Sequence, residues 1–342
     1  MSILQASTIS DHAANAASHG LRRIYPAVKH PANPILSSAN FPIAVHYVFN
    51  PGAIKFGDEY IMIVDAALGT TSIVFWLARS RDGVNFVPDP DPLDWPENPT
   101  YPACCVYDPR ITKFGDEYVI MHASHSRSYS GPRVSVVKTR DFKKFTRIEQ
   151  EMTPHANRNA VLFPEKIGGR YVRFDRPMET ECGKADMCVS FSDDLSHWYD
   201  TTVLMQPRSG WDSHKIGGAA VPIRTEQGWL AIYHGVDNSS CNNYIYRLGV
   251  VLLDLEDPTR IISRGEMPLL WPEHDYEFFG RTPNVVFCCN TIVEPDRTVK
   301  IYYGAADTCI GLATAKLDDL IELAYSKADY ADKFFKRVPK RS

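Results

Sequence analysis

Four cationic side chains sit in short polar motifs scattered along the chain. They are Arg158 in Asn157-Arg158-Asn159, Arg176 in Phe174-Asp175-Arg176-Pro177, Lys215 in His214-Lys215-Ile216-Gly217-Gly218, and His234 in Tyr233-His234-Gly235. In a chain whose formal net charge is −4, a gathering of cations has to be local. Brought together, these four would hold an oxyanion, with phosphate the obvious guest: arginine grips it through a planar fork and lysine as a point charge. Asp108, in Tyr107-Asp108-Pro109-Arg110, and Asp307, in Gly304-Ala305-Ala306-Asp307, are placed on the opposite side of the same pocket. Taken singly, Arg176 would serve as well to pair with Asp175 and tie two strands together. It is the set that points to a ligand.

Aromatic residues are plentiful, with 17 Tyr, 16 Phe and 6 Trp. Most belong to packing, among them Trp76, Trp198, Tyr171 and Trp229. Tyr244 and Tyr246 adjoin the polar loop Asp237–Asn243 and are candidates to stack on a sugar. Other site chemistries are missing: there is no G-x-x-x-x-G-K-[ST] phosphate loop, no G-x-G-x-x-G fingerprint and no G-x-S-x-G elbow. The pairs His12/His19 and His122/His125 have no third ligand at a suitable spacing, so no metal and no cofactor are expected.

The elements that must position these residues are legible as a repeat. Ile54-Lys55-Phe56-Gly57-Asp58-Glu59-Tyr60 returns nearly unchanged as Thr112-Lys113-Phe114-Gly115-Asp116-Glu117-Tyr118. Looser copies span 165–171, 223–229 and 293–299. Each puts turn formers between two apolar runs, the chemistry of a β-hairpin. The hairpins lead into strands at Tyr60–Val64, Tyr118–Ala123, Tyr171–Phe174, Trp229–Gly235 and Val299–Ala305. Second strands follow at Ser72–Ser80, Arg133–Arg140, Ala185–Ser192, Tyr246–Asp254 and Cys309–Leu317. Units of this length cannot bury both sheet faces alone, and radial stacking solves the problem. The expected fold is therefore all-β, a five-bladed β-propeller with short helical terminal segments. It divides into an N-terminal extension over 1–30, the propeller over 31–320 and a helical tail over 321–342, with helical spacing in residues 3–20 and Leu317–Phe335.

In a propeller the first strand of each blade lines the central channel. Asn50 and Asp108 each lie seven residues before a hairpin glycine, Gly57 and Gly115, and so occupy equivalent positions. The third, fourth and fifth blades offer Asn157-Arg158-Asn159, His214-Lys215 and Asn284 at the same end. A purely structural propeller has no need of such a polar ring. The far end of the next strand adds Asp65, Arg176, His234 and Asp307.

The 342 residues are 44% apolar and 23% charged, which excludes a disordered chain and a general nucleic-acid binder. No apolar run reaches the length of a membrane helix, and the first twenty residues lack the pattern of a secretory signal. Eight cysteines (Cys104, Cys105, Cys182, Cys188, Cys241, Cys288, Cys289 and Cys309) form no C-x-x-C pair. They are read as reduced thiols, and the protein as cytoplasmic.

The motifs quoted above, together with Asn157 through Lys166, Ile232 through Val236, Asp254 through Pro258 and Pro283 through Phe287, resemble glycoside hydrolase family 130 over residues 33 to 320. The resemblance implies inverting phosphorolysis of a β-mannosidic bond to α-mannose 1-phosphate, with inorganic phosphate as co-substrate. It gives Asp108 as catalytic acid and Arg158, Asn159, Arg176, Lys215 and His234 as phosphate ligands. Asn50 and Asp307 then hold the mannosyl unit, and Asn284 shares the polar ring around it. The partners are a sugar and phosphate, with no nucleic acid and no membrane, and the terminal segments offer a surface for a homo-oligomer. Many relatives carry an arginine near the end of the second strand of blade one, where this chain reads Ile63-Val64-Asp65-Ala66-Ala67. Two alternatives stand beside this reading: a hydrolase using Asp307 or Glu165 as base, and a non-catalytic glycan-binding propeller.

Overall fold

The hairpin motifs turn in the left-handed region, at Gly57, Gly115, Gly168, Gly169 and Gly228 and, in the fifth copy, at Arg297. Glycine suits such turns because it carries no Cβ. The computed structural model describes residues 27–69, 72–148, 155–178, 186–240 and 243–326. The expected helix over 3–20, the part of the expected C-terminal helix past residue 326, the loop Glu179–Lys184, Cys182 and Cys241 lie outside the described residues.

Strand β1 (Ala27–Lys29) belongs to the last blade. Blade one contains β2 (Tyr47–Phe56), β3 (Glu59–Ala67), β4 (Ile73–Ser80) and the short β5 (Val87–Pro88). Blade two repeats it with β6 (Cys105–Phe114), β7 (Glu117–His125), β8 (Arg133–Thr139) and β9 (Thr146–Arg147). Blade three is β10 (Asn157–Leu162), β11 (Tyr171–Pro177), β12 (Met187–Ser192) and β13 (Tyr199–Met205). In blade four, β14 (Lys215–Gly218) and β15 (Ile223–Thr225) share the innermost place beside β16 (Gly228–Ser240), followed by β17 (Asn243–Leu253) and β18 (Ile261–Arg264). Blade five is β19 (Val286–Val293), β20 (Thr298–Ala305) and β21 (Cys309–Lys316), completed by β1. Within each blade successive strands pair antiparallel, and one parallel bridge, Ile73 to Cys105, joins blades one and two. The protein is a five-bladed β-propeller.

Blade five therefore takes its outer strand from residues 27–29, which the sequence places in the extension. Ala27, Val28 and Lys29 pair with Ala315, Thr314 and Ala313. The lock is reinforced by Lys29 Nζ, which donates to Glu277 Oε2 at 2.7 Å and to the Trp271 carbonyl at 2.7 Å. Helix α1 (Asp275–Phe278) carries Glu277, and α2 (Leu317–Ala324) follows β21 directly. Its apolar side, Leu317, Leu320, Ile321, Leu323 and Ala324, is buried against blades four and five.

Rings fill the space between blades, as with Phe56 on Tyr118 and Phe142, and Phe163 on Trp229. Trp76 and Trp229 are fully buried; side chains of this size contribute about 2–3 kcal/mol each by leaving water. At the ends of β4, β8, β12 and β17, Asp82, Asp141, Asp194 and Asp254 each accept two backbone N–H groups of the following turn. The aspartate fixes the turn, and Phe86 and Phe145 then reach the core.

Candidate active site

The innermost strands of blades one to three are interrupted at the same place. Register shifts fall between Phe49 and Gly52, Tyr107 and Arg110, and Arg158 and Val161. The residues at these bulges, Asn50, Asp108 and Asn159, have φ of 45°, 59° and 59°. A bulge bends the strand and re-aims a side chain, and asparagine and aspartate tolerate the left-handed conformation better than other side chains. Asn284 and Asp307 share it, at φ 60° and 49°. In blade three the residue equivalent to Asn50 and Asp108 is thus Asn159, with Arg158 reaching in beside it.

Asp108 is fully buried. Asn50 Nδ2 donates to its Oδ1 at 2.7 Å and Arg158 Nη2 to its Oδ2 at 3.1 Å. Its main-chain N–H points to Asp65, whose two oxygens lie at 3.1 and 3.0 Å. Arg110, two residues on, is buried at the axis and donates to the carbonyls of Asp108, Gly218 and Ala219. The last two lie where the inner strand of blade four is interrupted between β14 and β15. Asn290 exchanges two hydrogen bonds with the main chain of Ile111, at 2.8 Å each. Blade two is thereby bound across the axis to blades four and five, beneath the pocket.

The cations converge as expected. Arg176 Nη1 lies 3.2 Å from His234 Nε2, and Asn159 Nδ2 lies 3.5 Å from the same nitrogen. Lys215 Nζ sits 4.7 Å from the ring centre of Tyr244 and 5.2 Å from that of Tyr246, and Arg158 stacks over Tyr107. Burial and the neighbouring Arg158 lower Arg176 to about 9. Burial, Arg176 and Arg158 lower Lys215 to about 8. Burial and the surrounding cations hold His234 neutral, far below the usual histidine range. Burial opposes the charge on Arg158 too, but Asp108, Tyr107 and Tyr246 together more than offset it and raise its proton affinity. Asn50 Oδ1, Asn159 Oδ1, Arg158 Nε, Arg176 Nε and His234 Nδ1 are buried and have no hydrogen-bond partner among the described residues. Buried polar atoms are normally satisfied, so the unpaired donor nitrogens among these mutually repelling cations can take up an anion, and the two amide oxygens can accept from hydroxyl groups.

Across from the cations, Asp307 Oδ2 accepts from Thr282 Oγ1 at 2.6 Å, while burial and Asp108 raise its proton affinity. The Asn284 carbonyl accepts the Tyr246 N–H at 2.9 Å, joining blades four and five at the rim. Tyr246 is half-buried near His234, and Tyr244 is exposed. Glu165 lies elsewhere. It follows β10 on the hairpin side, away from the Asn159 bulge, and pairs with Arg224 at 3.1 Å, both side chains largely exposed. A catalytic base at Glu165 is therefore excluded by position. The residues that sequence reasoning left without a role are Asp65, Arg110, Asn157 and Asn290. Asn157 Nδ2 donates to Asp175 at 2.7 Å while its Oδ1 accepts the Arg176 N–H at 3.1 Å, so it aligns the arginine. The signals for Asp65 are its place in the second polar ring and a carboxylate inside an apolar strand.

Among the described residues no cluster suited to a metal ion is present, and no helix is long and apolar enough to cross a membrane.

A model of glycoside hydrolase family 130, described as β-1,4-mannooligosaccharide phosphorylase, matches residues 26–326. The β-1,4-mannooligosaccharide phosphorylase of Ruminococcus albus is 33% identical over 309 residues, covering 87% of this chain and 90% of that protein. A β-1,2-mannobiose phosphorylase of Thermoanaerobacter is 43% identical over 238 residues, 69% of this chain and 74% of its own. The solved structure of the Listeria innocua β-1,2-mannobiose phosphorylase, in complex with β-1,2-mannobiose, superposes with a TM-score of 0.78 at 27% identity, covering 87% of this chain and 99% of that one. With the match running through all five blades, the chain belongs to glycoside hydrolase family 130.

Proposed function

We propose that the protein cleaves a β-mannosidic bond with inorganic phosphate, with inversion at the anomeric carbon, giving α-mannose 1-phosphate and a shortened sugar. As a member of its family the protein is an enzyme of the glycoside phosphorylase type. The observation that carries the finer reading is the cradle of Arg158, Arg176, Lys215 and His234 beside the buried Asp108, which Arg158 hydrogen-bonds.

An inverting hydrolase needs two carboxyls, one to protonate the leaving oxygen and one to activate water. Phosphate arrives already anionic and needs no protein base, so one acid and a preorganised cationic cradle suffice. A phosphate oxygen bonds to C1 from the α face as the C1–O bond to the acceptor breaks. The proton of Asp108 passes to the leaving oxygen, directly or through a sugar hydroxyl. Arg158 hydrogen-bonds Asp108 and also faces the anion side, which couples phosphate arrival to the acid. Asn50, Asp307 and Asn284 are assigned to the mannosyl unit, with Tyr244 and Tyr246 at the rim. No metal or organic cofactor enters the scheme. A cytoplasmic setting suits it, since a sugar phosphate made inside a cell is retained.

The test is product analysis with a β-1,2- and a β-1,4-mannobiose, with and without phosphate. Mannose 1-phosphate formed only with phosphate, and lost in Asp108→Asn, supports the reading. Free mannose released without phosphate would establish hydrolysis instead and direct attention to Asp307.

A further inference from the structure

Residues 279–285 lead from α1 into β19 at the pocket end of blade five, and they are clamped to the turn between β20 and β21. The Arg281 N–H donates to Thr308 Oγ1 at 3.0 Å, the Thr282 N–H to the Ala306 carbonyl at 3.1 Å, and Thr282 Oγ1 to Asp307 Oδ2 at 2.6 Å. A Cβ at Gly280 would meet the Ala306 carbonyl oxygen at 2.5 Å, so the two segments are in close contact. The turn is tied in its own right to blade one, where the Val48 N–H donates to the Thr308 carbonyl at 3.3 Å. The main chain of Arg281 is thereby fixed. Its guanidinium reaches across to the buried Phe49 of β2 and lies 5.2 Å from the ring centre. Its charge acts on Asp307 and on the thiol of Cys105, the first residue of β6. Arg281 is exposed, and among the described residues its side chain has no ion pair and no hydrogen bond.

The main-chain bonds already join blades five and one, so that joint does not need the side chain. What stands in front of it follows from the direction of the displacement. Inversion places nucleophile and leaving group on opposite faces of the sugar ring. The cationic cradle is built by β10, β11, β14 and β16, in blades three and four. The leaving sugar must then lie toward blades five, one and two. Asp108 of β6, the acid for the leaving oxygen, stands on that side, three residues past Cys105. Arg281 covers the same sector, anchored in blade five, resting on Phe49 of blade one and acting on Cys105 of blade two. A guanidinium is a fork of N–H donors, and sugar hydroxyls accept. We propose that Arg281 is a specificity-determining residue that binds the departing sugar, donating hydrogen bonds to its hydroxyl groups across the ring from the phosphate cradle. This rests on the phosphorylase reading of the site.

The test is synthesis from α-mannose 1-phosphate with mannose, glucose or N-acetylglucosamine as acceptor, read as phosphate release. Arg281→Met keeps an unbranched chain on Phe49 and removes the donors. With the acceptor that wild type uses best, it should raise the acceptor KM at least about tenfold, while the KM for mannose 1-phosphate stays within about twofold. Arg281→Lys keeps the charge on a single nitrogen without the fork and should fall between the two. In the cleavage direction, a nitrophenyl β-mannoside carries no hydroxyl on its leaving group. Arg281→Met should match wild type on that substrate and lose on a mannobiose. An unchanged acceptor KM overturns the proposal. So does an equal rise in both KM values, the mark of a distorted pocket mouth. If wild type releases no phosphate with any of the three acceptors, the phosphorylase reading fails and this proposal falls with it; an active wild type beside an unaffected variant overturns the role of Arg281 alone.

Discussion

Arg176 and His234 meet end to end, guanidinium Nη1 to imidazole Nε2, at 3.2 Å. Arginine can only donate, so Nε2 accepts and the ring proton resides on Nδ1. With burial and four cations around it, the ring stays neutral through the physiological range. A histidine beside an anion site is commonly imagined as a fifth positive charge; here it orients an arginine.

The first prediction concerns that pair. His234→Ala leaves a buried arginine N–H without its acceptor, a loss of about 1–3 kcal/mol. The phosphate KM should rise roughly tenfold or more at fixed sugar concentration. His234→Gln, which can still accept, should lose less. The wild-type pH profile should show no limb near 6.5 that His234→Gln removes.

Lys215 gives a pH signature. On the proposed reading its protonated form binds phosphate, and before the anion arrives its affinity for that proton is reduced to about 8 by burial, Arg176 and Arg158. Bound phosphate raises it again. Apparent phosphate affinity should therefore weaken as pH climbs through about 8, by up to about tenfold per unit. Titration calorimetry with phosphate between neutral and alkaline pH measures this. Lys215→Arg should flatten the curve, because arginine keeps its charge.

Gly217 tests the cradle without touching a charge. A Cβ there would lie 2.6 Å from His234 Cε1 and 2.9 Å from Asn159 Nδ2. Gly217→Ala must displace one or both side chains. We expect weaker phosphate binding, by about ten- to a hundredfold in KM, since misplacement by about 1 Å is costly at such sites. Circular dichroism should remain that of the wild type.

Lys29 tests the closure of the ring. Lys29→Met removes the cation from Glu277, which keeps only the Tyr303 hydroxyl and two main-chain N–H groups. Breaking a buried pair in this way costs about 3 kcal/mol. Denaturant unfolding should show that loss, while kcat of the folded enzyme stays at the wild-type value.

The hairpin repeat was readable because Gly57 and Gly115 sit in near-identical heptapeptides, and local turn chemistry does not depend on the rest of the fold. The cationic set was readable because propeller strands carry equivalent residues to equivalent places, which brought Arg158, Arg176, Lys215 and His234 together. The bulges at Asn50, Asp108 and Asn159 were not, since a left-handed residue inside a strand is imposed by packing at the axis rather than by its neighbours in sequence. The pairing of Ala27–Lys29 with β21 was equally hidden, because three residues have no periodicity to display. Asp65 shows both limits: its oddity was visible, its target was not.

The stitching of Ala27–Lys29 onto Cys309–Lys316 has a consequence for biosynthesis. Synthesis proceeds from the N-terminal end, and blade five cannot receive its outer strand until Cys309–Lys316 has left the ribosome. Asn50, Asp108, Arg176, Lys215 and Asp307 come from all five blades, so a nascent chain that has made three or four blades still lacks part of the candidate site. The site is whole only when the circle shuts.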